Sequence, residues 1–317
     1  MKKIIFIFII LFSNTLFATP INITVALDWY INPDHATLLV AQQQGYFKQQ
    51  GLNVHFITPT QNSEPEQLVA MRQAQVAVTY QTHLILDVSA GMPLMRIATL
   101  INHPLNCIAV LASSDITHLS QLKGKIFGYS DSGMQQATMR AVLAHNGVNL
   151  HDVTLVNVKM NLVQALLSHR VDAVSGMMRN VEPVEMAQMG IKTRLFFPEQ
   201  NGVPDYDELV LVINKSEINQ PWLKPFVEAL QQAVNYIHAN PEQSWQLIAK
   251  AYPNELAPTS KMMQMNHAIW NATLPYLDLS PGVLDVLRYQ QFEQFMRQQN
   301  LLKASLPVSD YAVMLRS

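Results

Sequence analysis

Short runs of β-branched and aliphatic residues alternate along the chain with longer segments whose apolar positions recur every three to four residues. The first run, residues 23–27, predicts a strand. Asn32-Pro33-Asp34 then reads as a turn and cap, opening a helix through Leu38 to Ala41 that closes near Gly45. Further strands are predicted at 54–57, 76–79, 97–100 and 108–111, with helices over 64–72 and 84–90. Gly91 and Pro93 stop the second of these helices. The pattern then restarts, with strands at 125–129, 155–158, 173–174 and 209–213 and an extended piece at 196–198. Helices are predicted over 135–146, 163–168 and 184–189, and the tail is mostly helical, over 221–240, 243–251, 260–273 and 282–299.

This alternation implies an α/β chain with largely parallel pairing. Two series of similar order, joined by strand-like passages at 107–112 and 208–213, predict two lobes with two crossovers and a hinged ligand cleft. The expected division is 1–18 as a leader, 19–110 as the first part of lobe 1, 111–207 as an inserted lobe 2, and 208–317 as the return strand and helices of lobe 1. The leader carries Lys2 and Lys3, an apolar run from Ile4 to Leu11, and small and polar residues up to Ala18. The apolar run is too short and wrongly flanked to span a membrane. It reads as a signal peptide cut after Ala18, which predicts a periplasmic protein.

Composition narrows the picture. Cys107 is the single cysteine, so no internal disulfide can form, and a large core has to hold the fold. Hydrophobic residues at 49% and charged ones at 14% fit such a core. The net charge of −2 becomes more negative once Lys2 and Lys3 leave with the leader, and no basic run remains, which argues against nucleic acid as a partner. The sixteen methionines read as core filling.

In open α/β sheets ligands bind beyond the carboxyl ends of the strands, so the residues that follow each strand outline the cleft. After the first come Asp28 and Trp29, with Asn32 and His35 nearby. After 76–79 come Tyr80, Gln81 and His83, and after 97–100 come Asn102, His103 and Asn106. Ser130, Ser132 and Gly133 stand at a helix start after 125–129; Ser175, Asn180 and Glu182 follow 173–174. Aromatic faces, amides, hydroxyls and a carboxylate suit a flat, nitrogen-rich, neutral or weakly basic ligand held by stacking and hydrogen bonds. Each residue also has a plainer role open to it. Trp29 and Tyr80 could be core, His35 and His83 structural, Ser130, Ser132 and Gly133 a helix cap, and Glu182 a first-turn acid favoured by the helix dipole. A carboxylate ending a buried strand is costly without a partner, which favours ligand contact for Glu182.

Catalytic signatures are missing. Gly128 to Gly133 fails as a nucleophile elbow because Ser132 sits where the second glycine belongs. Neither a His-Glu-x-x-His pattern nor paired cysteines occur, and no glycine-rich phosphate loop follows a strand. The expectation is a ligand-binding protein without a cofactor, not an enzyme.

At Gly45-Tyr46-Phe47 with Gly51-Leu52, and at 122–129, the chain resembles the type II periplasmic binding proteins at large. More specific are Leu27-Asp28-Trp29 with Asn32-Pro33-Asp34-His35, then His103-Pro104-Leu105-Asn106, the stretch 180–186, and Gly202-Val203-Pro204-Asp205-Tyr206 leading into 208–212. These resemble the branch that captures formylated or hydroxymethyl aminopyrimidines for thiamine salvage. The resemblance implies a two-lobed type II fold, an aminopyrimidine ligand, and the permease and ATPase subunits of an ABC importer as partners of a monomer. It implies that Trp29 and Tyr80 flank the pyrimidine. Glu182 would take the exocyclic amine with Asn180 and Asn32 nearby, and Tyr206 would lie near the cleft mouth. The same fold serves a fungal-type thiamine-pyrimidine synthase that consumes pyridoxal phosphate and its own histidine. His83 falls near that histidine, but Thr79 stands at the approximate position of the cofactor lysine and the cysteine-rich iron motif is missing. A binder of another small heterocycle or of a sulfonate is the remaining alternative.

Overall fold

The computed structural model describes residues 19–59, 64–130 and 133–315; the leader and Ser132 lie outside them. Ten strands among the described residues form two five-stranded sheets. The first holds β1 (Ile21–Ala26), β2 (Leu52–Ile57), β3 (Val76–Tyr80) and β4 (Leu94–Ile101), and the second β5 (Asn106–Leu111), β6 (Ile126–Tyr129), β7 (Thr154–Asn157), β8 (Ala173–Met178) and β9 (Thr193–Phe196). The last strand, β10 (Leu209–Asn214), returns to the first sheet. Strand order is β2-β1-β3-β10-β4 in one and β7-β6-β8-β5-β9 in the other. In each, β1 with β2 and β3, or β6 with β7 and β8, pair in parallel, and one antiparallel strand, β10 or β5, sits next to the edge. The chain therefore passes between sheets twice, at 102–105 and at 197–208.

Helices cover both sheets. In the first lobe these are α1 (Ala36–Gln43), α2 (Tyr46–Gln49), α3 (Pro65–Ala70) and α4 (Gln81–Ser89); in the second, α5 (Gly133–His145), α6 (Leu162–Leu167) and α7 (Glu182–Gln188). The tail supplies α8 (Leu223–Ala239), α9 (Pro241–Ala251), α10 (Pro253–Leu256), α11 (Ser260–Thr273) and α12 (Val286–Gln298). Residues 36–41 of α1 are all buried, so this stretch is enclosed on every side, and it lies under α8 and α9. On α8, Leu223, Phe226, Val227, Leu230, Ala233, Val234 and Ile237 form the single buried stripe that the three-four spacing predicts. One core lies under α1 and α8. A second runs without a break from Ala77, Val210 and Val212 of the first sheet to Ile108, Val110 and Phe127 of the other, through Tyr289, Phe292 and Tyr311 of the tail.

Two elements differ instructively from the sequence expectation. Ser175-Gly176 reads as the end of a two-residue strand, yet β8 continues to Met178. Cys107 pairs with Met177 and Ile108 with Ser175, so Gly176 is the bulged residue, at φ +112°, where a Cβ would lie 2.5 Å from the Gln135 amide. The helix expected from 282 starts only at Val286, where the Asp285 carboxylate caps the Arg288 N–H (3.1 Å). Before it, the Leu315 N–H donates to the Gly282 carbonyl (3.0 Å), and the Leu315 carbonyl occupies the space a Cβ at 282 would need.

Candidate functional site

The carboxyl ends of β1, β3 and β8 and the two crossovers converge between the lobes. Asp28, just past β1, is the hub on the first lobe. Its carboxylate faces His35 Nε2 (2.8 Å) and accepts from the Tyr80 hydroxyl (2.9 Å). Burial pushes the Asp28 pKa up, but the bonds to His35 and Tyr80 outweigh it and leave the group below the ordinary carboxylate value. Burial and the neighbouring carboxylates Asp28, Glu208 and Asp34 push the Tyr80 phenol well above its usual range, so it is a donor here. His35 is fully buried with Nδ1 unpartnered. Trp29, by contrast, is 52% exposed, with its ring edge-on to the exposed Tyr30 (5.5 Å between centroids). A half-exposed indole beside a buried acid is a free platform rather than core.

Asn32 spends both ends of its amide locally: it accepts from the Asp34 N–H (2.7 Å) and donates to the Tyr30 carbonyl (2.9 Å), fixing the turn. Gln81 opens α4 fully buried. It accepts from the Asp207 N–H (2.8 Å), and its Nε2 has no partner. Asn106 opens β5 opposite Met178, its Oδ1 buried and unpartnered. Ser130 follows β6 and exchanges hydrogen bonds with Gln135 of α5 (3.0–3.2 Å), whose first residue is Gly133. Tyr206 is buried and packed against Phe292 of α12 (4.7 Å between centroids), with its phenol pushed up by burial.

At the end of β8 the Glu182 carboxylate turns back to accept from the Met178 N–H (2.8 Å). Burial, with Glu185 and Asp34 nearby, raises its pKa to about 7 despite that bond. Glu208, on the second crossover, accepts from the Leu105 N–H (2.6 Å) of the first, and burial raises it to about 7 as well. Asn180 is buried and reaches the first lobe, where its Nδ2 donates to Asp34 (2.6 Å) and to Thr273 (2.8 Å). The Ser175 hydroxyl, among the strand-end candidates, is buried here without a partner, and Glu208, Asp34 and Thr273 join this region without having stood among them. Asp34 was visible in the Asn-Pro-Asp turn; Thr273, on a distant helix, carries no local signal.

Four carboxylates, Asp28, Asp34, Glu182 and Glu208, thus surround the inter-lobe region, together with unpartnered amide and hydroxyl groups. Such a set accepts hydrogen bonds from a donor-rich, weakly basic ligand and repels an anion. Among the described residues no group of three or more His, Cys, Asp or Glu side chains could hold a metal ion. His83 lines a surface cavity with Glu66 and Asp87 and meets the Tyr80 ring edge-on (5.1 Å between centroids), while Thr79 is buried in β3 with its hydroxyl bonded to Glu66.

Two mixed sheets joined by two crossovers make this an α/β chain of the type II periplasmic-binding-protein fold. The alkanesulfonate-binding protein SsuA from Xanthomonas axonopodis pv. citri, bound to MOPS, superposes with a TM-score of 0.68 over 95% of this chain and 100% of its own, at 15% identity; at that identity the likeness speaks for fold alone. The chain belongs to the NMT1/THI5-like family, whose model matches residues 32–244. A thiamine biosynthesis protein from Haemophilus influenzae is 42% identical over 292 residues, covering 92% of this chain and 91% of that one. The formylaminopyrimidine-binding protein of Halalkalibacterium halodurans is 32% identical over 225 residues, 70% of this chain and 68% of the relative. A 4-amino-5-hydroxymethyl-2-methylpyrimidine phosphate synthase from Legionella pneumophila is more distant, 26% identical over 260 residues, 80% of this chain and 79% of the relative. Among the described residues no helix is long and apolar enough to cross a membrane.

Proposed function

We propose that the chain is the periplasmic substrate-binding component of an ABC importer and captures an aminopyrimidine precursor of thiamine. The observation that carries this reading is the pairing of a half-exposed Trp29 with carboxylates at the lobe junction, in a chain 32% identical to a formylaminopyrimidine-binding protein. The indole offers a stacking face for the ring, and Glu182 offers an acceptor for the exocyclic amine. A sulfonate would meet acidic groups here instead of donors. The synthase reading has less support: Thr79 offers no amine for a Schiff base, and its hydroxyl is engaged by Glu66. The direct test is calorimetric titration of the chain from Thr19 onward with 4-amino-5-hydroxymethyl-2-methylpyrimidine, its formylamino analogue, thiamine and taurine. Sub-micromolar binding of a pyrimidine alone is expected; tight binding of taurine, or of none of the four, would overturn the proposal.

A further inference from the structure

The residues that close β8 leave their own lobe. Met178 packs against the core of the first lobe. The Arg179 guanidinium lies over the Phe197 ring (4.0 Å) and 5.7 Å from the Tyr276 ring of the tail, and pairs with Glu199 (2.8 Å). Asn180 then enters a small buried cluster built entirely from first-lobe residues. Its Nδ2 donates to Asp34 Oδ1 and Thr273 Oγ1, and the Thr273 hydroxyl donates to the same Asp34 oxygen (3.0 Å). Asp34 comes from the turn after β1 and Thr273 from the last residue of α11, 239 positions apart, so the cluster ties three distant segments together.

This geometry decides which way the amide points. Reversing it would set the Asn180 oxygen against the Asp34 carboxylate, a repulsion between two acceptors. Both amide hydrogens are consumed inside the cluster, and Oδ1 is buried without a partner. A buried carbonyl so oriented costs free energy unless a donor reaches it. We propose that Asp34 and Thr273 form an inter-lobe clasp that holds Asn180, closing the cleft and aiming the Asn180 carbonyl at an N–H donor of the bound ligand. Asp34 and Thr273 are positioning residues, acting through Asn180. The clasp itself needs no ligand. The assignment of the carbonyl rests on the aminopyrimidine reading, because it selects for ligands that bring an N–H group and against those that bring only acceptors.

The two parts separate in one experiment. Spin labels at Lys48→Cys in the first lobe and Met160→Cys in the second, both exposed positions, report the inter-lobe distance of the ligand-free protein. Asn180→Leu removes both amide donors from Asp34 and Thr273, and Thr273→Val removes one partner. Both variants are expected to lengthen and broaden the distance distribution with unchanged far-UV dichroism. The exchange Asp34→Asn with Asn180→Asp restores a carboxylate–amide pair and is expected to restore the short distance. Unchanged distances in Asn180→Leu would overturn the clasp. Titration with 4-amino-5-hydroxymethyl-2-methylpyrimidine should show affinity falling roughly tenfold in Thr273→Val, as the closed fraction falls. Unchanged affinity in a variant whose lobes have opened would overturn the role given to the Asn180 carbonyl. Distances that respond in a protein that binds no pyrimidine would uphold the clasp and sink the ligand reading alone.

Discussion

Glu182 and Glu208 share an unusual condition for surface-rich residue types: burial raises both to about pKa 7, well above the ordinary value of 4.5. Because the folded state holds these protons more tightly than the unfolded chain, the associated stability is fully present below pH 4.5. It is lost as pH rises towards 7. Asp28 runs the other way, since His35 and Tyr80 hold it ionised; its contribution is present at neutral pH and lost as acid protonates it. Keeping two buried acids that ionise only near neutrality costs stability at higher pH, the trade expected if the proposed donor-rich ligand is to meet them. Glu182→Gln should therefore be more stable than the parent at pH 8 by about 1–2 kcal/mol and nearly equal to it at pH 5, as urea midpoints would show. The same variant should bind the aminopyrimidine more than tenfold more weakly, the scale of a charged hydrogen bond. Unchanged affinity would remove Glu182 from the site. The placement of Asp28, Trp29 and Tyr80 at strand ends was legible in the sequence because strand ends are a local feature. The part Asp34 plays was not, since its partners Asn180 and Thr273 lie 146 and 239 positions away.

The crossovers are held by side chains from outside themselves. Arg288 of α12 donates to the Asn102 carbonyl on the first crossover and to Asp207 (2.9 Å) on the second, and pairs with Asp205 (3.1 Å). His103 Nδ1 faces the same Asp205 (3.0 Å) directly across the two strands of the hinge. Asp207 also takes the Thr99 and Tyr289 hydroxyls (2.7 and 2.9 Å), so the second crossover is anchored to β4 and α12 together. Arg288→Met would remove the cation that pairs directly with Asp207 and leave it buried against two hydroxyls, with Arg96 reaching it only through the Thr99 hydroxyl (2.6 Å). The expected loss is about 2–3 kcal/mol, read as a lower urea midpoint with an unchanged slope. A change within a few tenths would mean that the two hydroxyls, with Arg96 behind Thr99, satisfy Asp207 without Arg288. Period and breakers located α11 at 260–273 in full, because its cap, Thr259, and its apolar stripe are local. They misread β8 and the start of α12, because a glycine bulge and a paired tail segment are tertiary facts that glycine alone does not announce.

Alternation of strand and helix made the two-sheet architecture legible from the chain alone, and the lone cysteine, Cys107, already required a large core. What the pattern could not tell is that the lobes share that core. One cluster of buried residues joins Ala77, Val210 and Val212 in the first sheet to Ile108, Val110 and Phe127 in the second through Tyr289, Phe292 and Tyr311 of the tail. Lobes joined only by two hinge strands could unfold separately; lobes that bury a common cluster lose each other's contacts when either opens. The four tryptophans make this testable without mutation, because Trp29 follows β1 and Trp222, Trp245 and Trp270 belong to the core under α1 and α8. Tryptophan emission therefore follows the first lobe, whereas far-UV dichroism follows both. Urea curves from the two probes are expected to coincide, with a single calorimetric transition that ligand shifts as one. Saturation at a hundredfold excess over Kd should raise the stability of that single transition by about 2.7 kcal/mol. Dichroism that melts in two steps, only one of them seen by the tryptophans, would show that the tail does not couple the lobes. Closure would then be governed by the hinge and the Asn180 clasp without help from the shared core.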